Sequence, residues 1–466
     1  MNNLPRVSAP GYGLLEMIAT PWGKSSTLRQ RRLPPGPGTP RAEVERNQRN
    51  RLFGAMVAVA SEKGYAQTSV ADLVEVSGVS SRSFYDLFDD KEACFLATLD
   101  EIITPARAVT ASKMRQEGSW EVRARTAIET FMRLVVEQPA AARLCLVEAY
   151  AAGPAAVSRI DEALEDFEEL MQQAFEEQPE RSGMPVEMTR AMVGGIRKMI
   201  HTRLHRGVES EILELLPELL DLELSYRPPP QPLRGGARRR RPGLQANGEA
   251  QAVGSPGDRS TPKRWREEDP AERIICGTMV AMAAKGYQAA TVSDIAEAAG
   301  ASPNTFYAHF DSKDDAFDAA IYSGWARMMG ELLPVYNRAR SWPEGIRAVI
   351  EAMFAHLEEE PDFARLIAVE VYAAGATALE RRDRGVETAQ RIIDDGVPDY
   401  APQMKPIVRE TIVSYLYAML CDQVRATRGP GLRQTAPLAV YMALAPFLGP
   451  EEACEVANGR PRPERG

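Results

Sequence analysis

Histidine, cysteine and long apolar runs are scarce in this 466-residue chain, and each scarcity excludes a class of protein. The four histidines and five cysteines form no CxxC or HExxH pattern, so we expect no metal and no cofactor. Scattered cysteines in odd number favour free thiols in a reducing compartment. No stretch approaches the ~20 apolar residues that span a bilayer. We therefore predict a cytoplasmic protein without a membrane segment.

Patterns for catalysis are also missing. No GxSxG, Walker loop or GxGxxG context occurs, and no nucleophile has a base at a recognisable spacing. His201 and His205 lie four residues apart, a spacing that can hold a metal, but we interpret them as a polar helix face. The sequence therefore predicts that the protein is not an enzyme.

The chain contains an internal duplication at an offset of 222 residues. Residues 64–95 and 286–317 align without a gap and are identical at 13 of 32 positions. Residues 138–153 and 360–375 keep the same offset, with 10 of 16 positions identical. One offset held over so much chain defines two tandem repeats, each of about 190 residues.

Two segments with few large apolar residues lie before and between the repeats. Residues 227–264 are rich in proline, glycine and arginine, and residues 1–38 are similar. Such segments bury too little apolar surface to fold alone. We predict a disordered basic tail over 1–38 and a disordered basic linker over 227–264. Its run Arg238–Arg241 either contacts DNA or is simply solvated.

The net charge of −9 argues at first against a nucleic-acid partner, but its distribution argues for one. Residues 1–50 carry net +5 and residues 227–264 carry net +7, so the remaining residues carry −21. Basic arms on acidic bodies are typical of a protein whose arms neutralise DNA phosphates.

Apolar residues recur at helical spacing in both repeats, and we find no convincing alternating strands. Leu52, Phe53, Met56 and Val57 illustrate this spacing in the first repeat. The sequence therefore predicts an all-α fold.

Each repeat contains the pattern of a helix-turn-helix. In the first, Ser69 is placed to cap a short helix, and Gly78 permits the positive φ of a tight turn. Ser80 then caps a second helix that carries Phe84 and Phe88 on one face. The equivalent residues of the second repeat are Thr291, Gly300, Ser302, Phe306 and Phe310. Such a pair of helices is typical of proteins that read the DNA major groove.

Both stretches resemble the signature of the tetracycline-repressor (TetR) family, with its cap, GxS turn, FY pair, second phenylalanine and lysine. The resemblance implies two tandem TetR-like units, each with a three-helix DNA-binding domain and a larger helical body. That body is expected to bind a small ligand and to dimerise through its last two helices. The implied DNA-binding domains are 46–106 and 268–328, and the implied regulatory bodies are 107–226 and 329–450.

The resemblance assigns DNA contacts to matching positions of each unit. Arg82 and Asn304 lie on the first turn of the two reading helices, where arginine pairs best with guanine and asparagine with adenine. The predicted set in the first unit is Ser69, Ser80, Ser81, Arg82, Ser83, Tyr85 and Lys91. In the second unit it is Thr291, Ser302, Pro303, Asn304, Thr305, Tyr307, His309 and Lys313.

Four of these residues are expected to meet phosphates. Tyr85 and Tyr307 resemble the family's phosphate-contacting tyrosine, the alternative being that both are core residues. Lys91 and Lys313 resemble its phosphate-contacting lysine at a helix start, where the helix dipole also favours an anion.

Two departures from the family pattern leave the strength of DNA binding open. Asp86 stands where the family has a basic or neutral residue, and it would repel a phosphate. The second reading helix carries no lysine or arginine. One of the two DNA-binding domains, called heads below, is therefore expected to bind DNA more weakly.

The bodies offer candidates for a ligand pocket, with ordinary core packing as the alternative. Arg143 with Glu148, and Arg365 with Glu370, are alternatively plain ion pairs. The candidates are Phe131, Leu134, Leu144, Glu148, Phe354, Leu366 and Glu370.

The last helices of each unit carry more apolar surface than one unit buries, so we predict a four-helix bundle between two units. Both partners are present in one chain, and a 38-residue linker spans roughly 35 Å. We therefore predict pairing within the chain, with a dimer of whole chains as the alternative.

These features predict a sequence-specific DNA-binding transcription regulator, most simply a repressor released by a small-molecule effector. Its expected partner is a double-stranded DNA operator. The alternative function is a small-molecule-binding or scaffold protein whose heads no longer bind DNA.

Overall fold

The computed structural model describes residues 18–33, 38–234, 269–427 and 431–460. Its secondary structure is helical apart from one short antiparallel hairpin, Ala19–Thr20 with Gly23–Lys24. The predicted all-α fold is therefore confirmed.

The first repeat begins with a long helix, two short helices and a second long helix. Its helices are α1 (Arg41–Lys63), α2 (Val70–Ser77), α3 (Ser81–Leu87), α4 (Lys91–Met114), α5 (Trp120–Glu137), α6 (Pro139–Arg143), α7 (Ala149–Ala152), α8 (Pro154–Glu176), α9 (Val186–Arg206) and α10 (Leu216–Ser225).

The main helices of the second repeat follow in the same order as those of the first. Its helices are α11 (Pro270–Lys285), α12 (Val292–Ala298), α13 (Pro303–Tyr307), α14 (Lys313–Asn337), α15 (Trp342–Glu359), α16 (Pro361–Ala368), α17 (Ala376–Asp394), α18 (Val397–Tyr400), α19 (Pro406–Thr427), α20 (Leu432–Leu448) and α21 (Pro450–Ala457). Within its described residues, the second repeat is without a counterpart of α7 and has two added helices, α18 and α21. The last of these, α21, begins at the predicted boundary, residue 450, and extends the folded chain past it.

Both repeats interrupt the helical path at the same place, before a Tyr-Ala-Ala-Gly segment. In the first repeat α6 continues as a π-helix over Leu144–Glu148. In the second, α16 ends and a 3-10 helix covers Glu370–Tyr372. Breaks of this kind often mark functional positions, and here each one carries the buried glutamate of its repeat.

By packing, the chain divides into two compact units that differ from the sequence repeats. One unit holds the residues up to Pro179 together with Ile196–Leu224, and the other holds Glu180–Gly195 together with the residues from Ser225 onward. The second unit therefore includes two segments that belong to the first repeat by sequence.

In the first unit, one apolar core is continuous from head to body. It includes Leu73 and Phe84 of the helix-turn-helix, Phe95 of α4, and Leu144 and Leu219 of the body. Side-chain packing therefore joins the head to the body without a break.

The disordered tail predicted over residues 1–38 is wrong for residues 18–33, which fold into the hairpin and two 3-10 turns. Leu28 has no exposed surface, and Thr20 is 5% exposed, because both pack on the first head. Residues 1–17 and 34–37 lie outside the described part of the chain.

The linker predicted over 227–264 is also folded at its start. Tyr441 Oη donates a hydrogen bond of 2.8 Å to the carbonyl of Arg227, and the backbone N–H of Arg234 donates one of 2.7 Å to Asn458 Oδ1. The rest of the predicted linker, including Arg238–Arg241, lies outside the described residues.

Across the described ranges, no helix combines the length and the apolar character needed to cross a membrane.

Candidate nucleic-acid interface

The first short helix of each head is held by a reciprocal cap. Ser69 Oγ accepts from the backbone N–H of Asp72 at 3.2 Å, and Asp72 Oδ2 accepts from that of Ser69 at 2.7 Å. Thr291 and Asp294 repeat this box at 3.2 and 2.9 Å. Because the box satisfies N–H groups at the helix start, it fixes where α2 and α12 begin.

A glycine turn then leads into each reading helix. Gly78 has a φ of +65° and Gly300 a φ of +60°, the left-handed region that favours glycine. Ser80 Oγ accepts from the backbone N–H of Ser83 at 3.1 Å, and Ser302 Oγ accepts from that of Thr305 at the same distance. These caps begin α3 and α13 as predicted from the sequence.

The first turns of the reading helices present exposed polar side chains to solvent. Ser81 and Arg82 are exposed on α3, and Pro303 and Asn304 are exposed on α13. The neighbouring residues, Ser83 and Thr305, are half-buried. Their hydroxyl groups hydrogen-bond with those of the capping residues Ser80 and Ser302. An exposed arginine or asparagine at this position has the reach to contact a base edge.

The aromatic residues of the reading helices separate into a buried and an exposed set. Phe84 and Phe306 have no exposed surface, whereas Tyr85 and Tyr307 are each 59% exposed. This exposure removes the interpretation of the two tyrosines as core residues. It leaves both side chains accessible to a phosphate.

The two predicted phosphate-binding lysines are engaged within their own heads. Lys91 Nζ donates to the carbonyls of Tyr65 and Thr68, both at 2.9 Å. Lys313 Nζ donates to the carbonyl of Tyr287 at 2.8 Å. Burial lowers the pKa of both lysines. Their visible role is therefore to fasten the loop after the first helix to the start of the fourth. Each ammonium also lies over a tyrosine ring of that loop, 4.0 Å from the Tyr65 centroid for Lys91 and 4.5 Å from the Tyr287 centroid for Lys313.

The two heads differ in the charge beside their reading helices. Asp86 is exposed next to Tyr85 on α3. His309 is exposed just after α13, whose own residues include no lysine or arginine. Asp86 and His309 therefore both face solvent beside their reading helices.

A buried glutamate joins each body to its head. Glu148 Oε2 accepts from the backbone N–H of Tyr65 at 2.9 Å, and Glu370 Oε2 accepts from that of Tyr287 at 2.8 Å. The two glutamates are 7% and 5% exposed. Burial raises the pKa of Glu148. Because the acceptor in each repeat lies 83 residues along the chain from its donor, this contact is a long-range link between domains.

An arginine of the same body segment pairs with each of these glutamates. Arg143 Nε lies 3.7 Å from Glu148 Oε1, and Arg365 Nε lies 3.1 Å from Glu370 Oε1. The ion pairs named in the sequence are therefore present. The link between glutamate and head was not predicted from the sequence. Its signal is that the Gly-Tyr pair and the glutamate are each repeated at the same offset of 222 residues.

The other predicted pocket residues are packed in their bodies. Leu144, Phe354 and Leu366 have no exposed surface, and Phe131 and Leu134 are half-buried. A small apolar recess of the first body, with room for no more than about one water molecule, is lined by other residues. They are Met114, Trp120, Ala124, Ile128, Phe167, Met171, Leu220 and Glu223.

Comparison with known proteins agrees with this geometry. The model of the family described as "Bacterial regulatory proteins, tetR family" matches residues 54–98 and residues 274–320. Each match covers the helix-turn-helix of one repeat. No curated protein matches this chain.

Solved structures of similar proteins each correspond to part of the chain. The fatty acid degradation regulator FadR from Bacillus halodurans is 16% identical with a TM-score of 0.34, over 38% of this chain and 98% of that one. FadR from Bacillus subtilis, solved with stearoyl-CoA, is 15% identical with a TM-score of 0.35, over 38% and 98%. A TetR family regulator from Marinobacter aquaeolei VT8 is 23% identical with a TM-score of 0.33, over 39% and 96%.

Two capped helix-turn-helix heads with exposed reading faces define a DNA-binding regulator. The family match is made twice, at the same place in each repeat, so each repeat carries a helix-turn-helix domain of the tetR regulatory family.

Proposed function

We propose that the chain is a ligand-responsive repressor whose two heads read two different half-sites of one operator. The exposed first turns of α3 and α13, Ser81-Arg82-Ser83 against Pro303-Asn304-Thr305, carry this proposal. Arginine favours guanine and asparagine favours adenine, so the two half-sites differ. The operator is then asymmetric rather than palindromic.

Pairing of the two repeats within one chain is supported by the composition of the second compact unit. Glu180–Gly195 and Ser225–Arg234 come from the first repeat and its linker but pack with the second repeat. Tyr226 is 1% exposed, and its hydroxyl donates a hydrogen bond of 2.8 Å to the carbonyl of Met442.

Close helix contact in the same unit gives further support. A Cβ at Gly195 of α9 would lie 2.2 Å from Tyr415 Cδ1 of α19, and one at Gly194 would lie 2.9 Å from Ala418 Cβ. Only glycine allows the two helices to approach this closely. Glycine inside a helix costs about 1 kcal/mol relative to alanine, so two adjacent glycines in α9 are explained by this close packing. Family members are expected to dimerise through the last two helices of each body, and α9 and α19 are the first of those two helices in their repeats.

An effector acts by favouring one conformation of the body over another. Glu148 and Glu370 give such a change a route to the heads, because each holds the loop that follows the first helix of its head. An amphipathic effector that binds in the first body would have to widen the small apolar recess between α4, α5 and α8.

Selection of bound duplexes from random DNA tests the proposed function. Arg82→Ala is expected to weaken binding by about 1–3 kcal/mol and to relax base preference at one half-site only. Asn304→Ala is the matched variant, and it should relax preference at the other half-site. Selection that recovers no shared sequence would favour the scaffold alternative over the regulator.

A further inference from the structure

A folded N-terminal arm, residues 18–33, is docked on the first DNA-binding head. Leu28 is fully buried, and a Cβ at Gly54 of α1 would lie 2.8 Å from Leu28 Cδ2. The Trp22 and Phe53 rings pack with their centroids 5.3 Å apart. The arm therefore occupies a notch in α1 that the absence of a side chain at residue 54 creates.

A chain of hydrogen bonds ties this arm to the helix-turn-helix. Asn47 Nδ2 donates to the carbonyl of Arg31 at 2.9 Å, and Asn47 Oδ1 accepts from Arg51 Nε at 3.1 Å. Arg51 Nη1 in turn donates to the carbonyl of Ser77 at 3.0 Å. Because Ser77 is the last residue of α2, the chain ends directly before the turn.

The arm lies over that turn. A Cβ at Gly78 would lie 2.8 Å from Arg29 Cγ and 3.4 Å from Arg29 Cβ. The stem of Arg29 therefore covers the turn that leads into α3. Gly78 is required both for its φ of +65° and for this close approach.

The charge of the arm is entirely positive. Residues 18–33 contain Lys24, Arg29, Arg31 and Arg32 and no acidic residue, and all four side chains are exposed. Arg31 donates to the carbonyl of Trp22 within the arm, so its side chain helps to hold the arm's own fold while its charge stays exposed.

The notch is a property of the first head. The residue at the position of Gly54 in the second repeat is Cys276, which is 7% exposed, and the residue at the position of Asn47 is Asp269. A side chain therefore occupies the equivalent place, and the amide that holds the arm is replaced by a carboxylate.

We propose that this arm is a second DNA-contacting element of the first head, with Lys24, Arg29 and Arg32 on phosphates flanking the groove that α3 reads. The inference rests on the proposed function, since it requires the head to bind DNA. Charge complementarity and the position over the turn identify the occupant as duplex backbone. A docked arm presents these charges without the ordering cost of a free tail.

The test measures affinity for the duplex selected by the wild-type chain, by fluorescence anisotropy over roughly 50–200 mM salt. The triple variant Lys24→Ala, Arg29→Ala, Arg32→Ala removes three charges from the arm. We expect the slope of log affinity against log salt to flatten by ~0.9 for each lost phosphate contact, and affinity to fall at least about tenfold at low salt. Base preference should not change.

The matched control is Arg115→Ala, Arg125→Ala, Arg133→Ala, which removes the same charge from exposed positions of the first body. A second variant, Gly54→Leu, keeps the arm's charges but fills its notch, and it should also weaken binding. If the arm variant behaves like the control, the arm has no DNA contact and the inference fails alone. If the wild-type chain selects no duplex, the proposed function itself fails.

Discussion

We expect Gly195→Ala to destabilise the chain by about 1–3 kcal/mol and the same change at Gly330 to stabilise it by about 1 kcal/mol. Both glycines lie inside helices, so alanine improves helix propensity equally at the two positions. They differ in their surroundings, because a Cβ at Gly195 would lie 2.2 Å from Tyr415 Cδ1 and one at Gly330 meets nothing within 4 Å. Chemical denaturation of the two variants measures the difference directly.

Gly195→Leu extends this test from stability to assembly. A leucine at this position cannot fit against Tyr415, which has no exposed surface, so α9 and α19 must separate. We expect loss of binding to the full operator with retained weak binding to single half-sites. Unchanged operator affinity in this variant would show that the packing of α9 against α19 plays no part in DNA recognition.

Glu148→Ala is expected to cost about 1–3 kcal/mol, because it leaves the backbone N–H of Tyr65 without its buried acceptor. Glu129→Ala is the matched control, since Glu129 forms an exposed i,i+4 pair with Arg133 at 2.6 Å that is worth ~0.5 kcal/mol or less. In the variant the loop after α1 is no longer held by the body. DNA affinity should therefore become insensitive to any effector that acts through the first body.

The pH dependence of Glu148→Gln separates the hydrogen bond from the charge. Glutamine keeps an acceptor for Tyr65 but carries no charge. Burial raises the pKa of Glu148 above the ordinary 4.5, so its proton-linked stabilisation is complete below 4.5 and is lost as pH rises through the folded-state pKa. Glu148→Gln should match the wild type at low pH and exceed its stability at neutral pH. If Glu148→Ala loses no more stability than the control Glu129→Ala, the hydrogen bond between Glu148 and the backbone of Tyr65 does not stabilise the chain.

The heads could be predicted from the sequence because their structure is set by local rules. The caps at Ser69 and Ser80 and the turn at Gly78 depend on residues no more than four apart, and the duplication supplied a second copy of each signal. Helix starts in the second repeat keep the offset of 222 from α2 to α6 and of 220 at α9, as the sequence alignment indicated.

What the sequence did not predict depends on distant contacts. The arm reads as a tail by composition, and its fold needs the notch at Gly54, which only the folded head reveals. Glu148 was recognised as a candidate but given to a ligand, because its partner is a backbone N–H 83 residues away. Lys91 was assigned to a phosphate alone, since its two carbonyl partners come from a loop whose path the sequence does not specify.

The mass of the DNA complex tests the central claim, that two different heads in one chain read one operator. Light scattering after gel filtration, with the duplex obtained by selection, measures how many 51.3 kDa chains are bound. The account predicts one chain on one non-palindromic site, with half-sites about 34–36 Å apart, one turn of DNA. Two chains bound stably to a palindrome would contradict it.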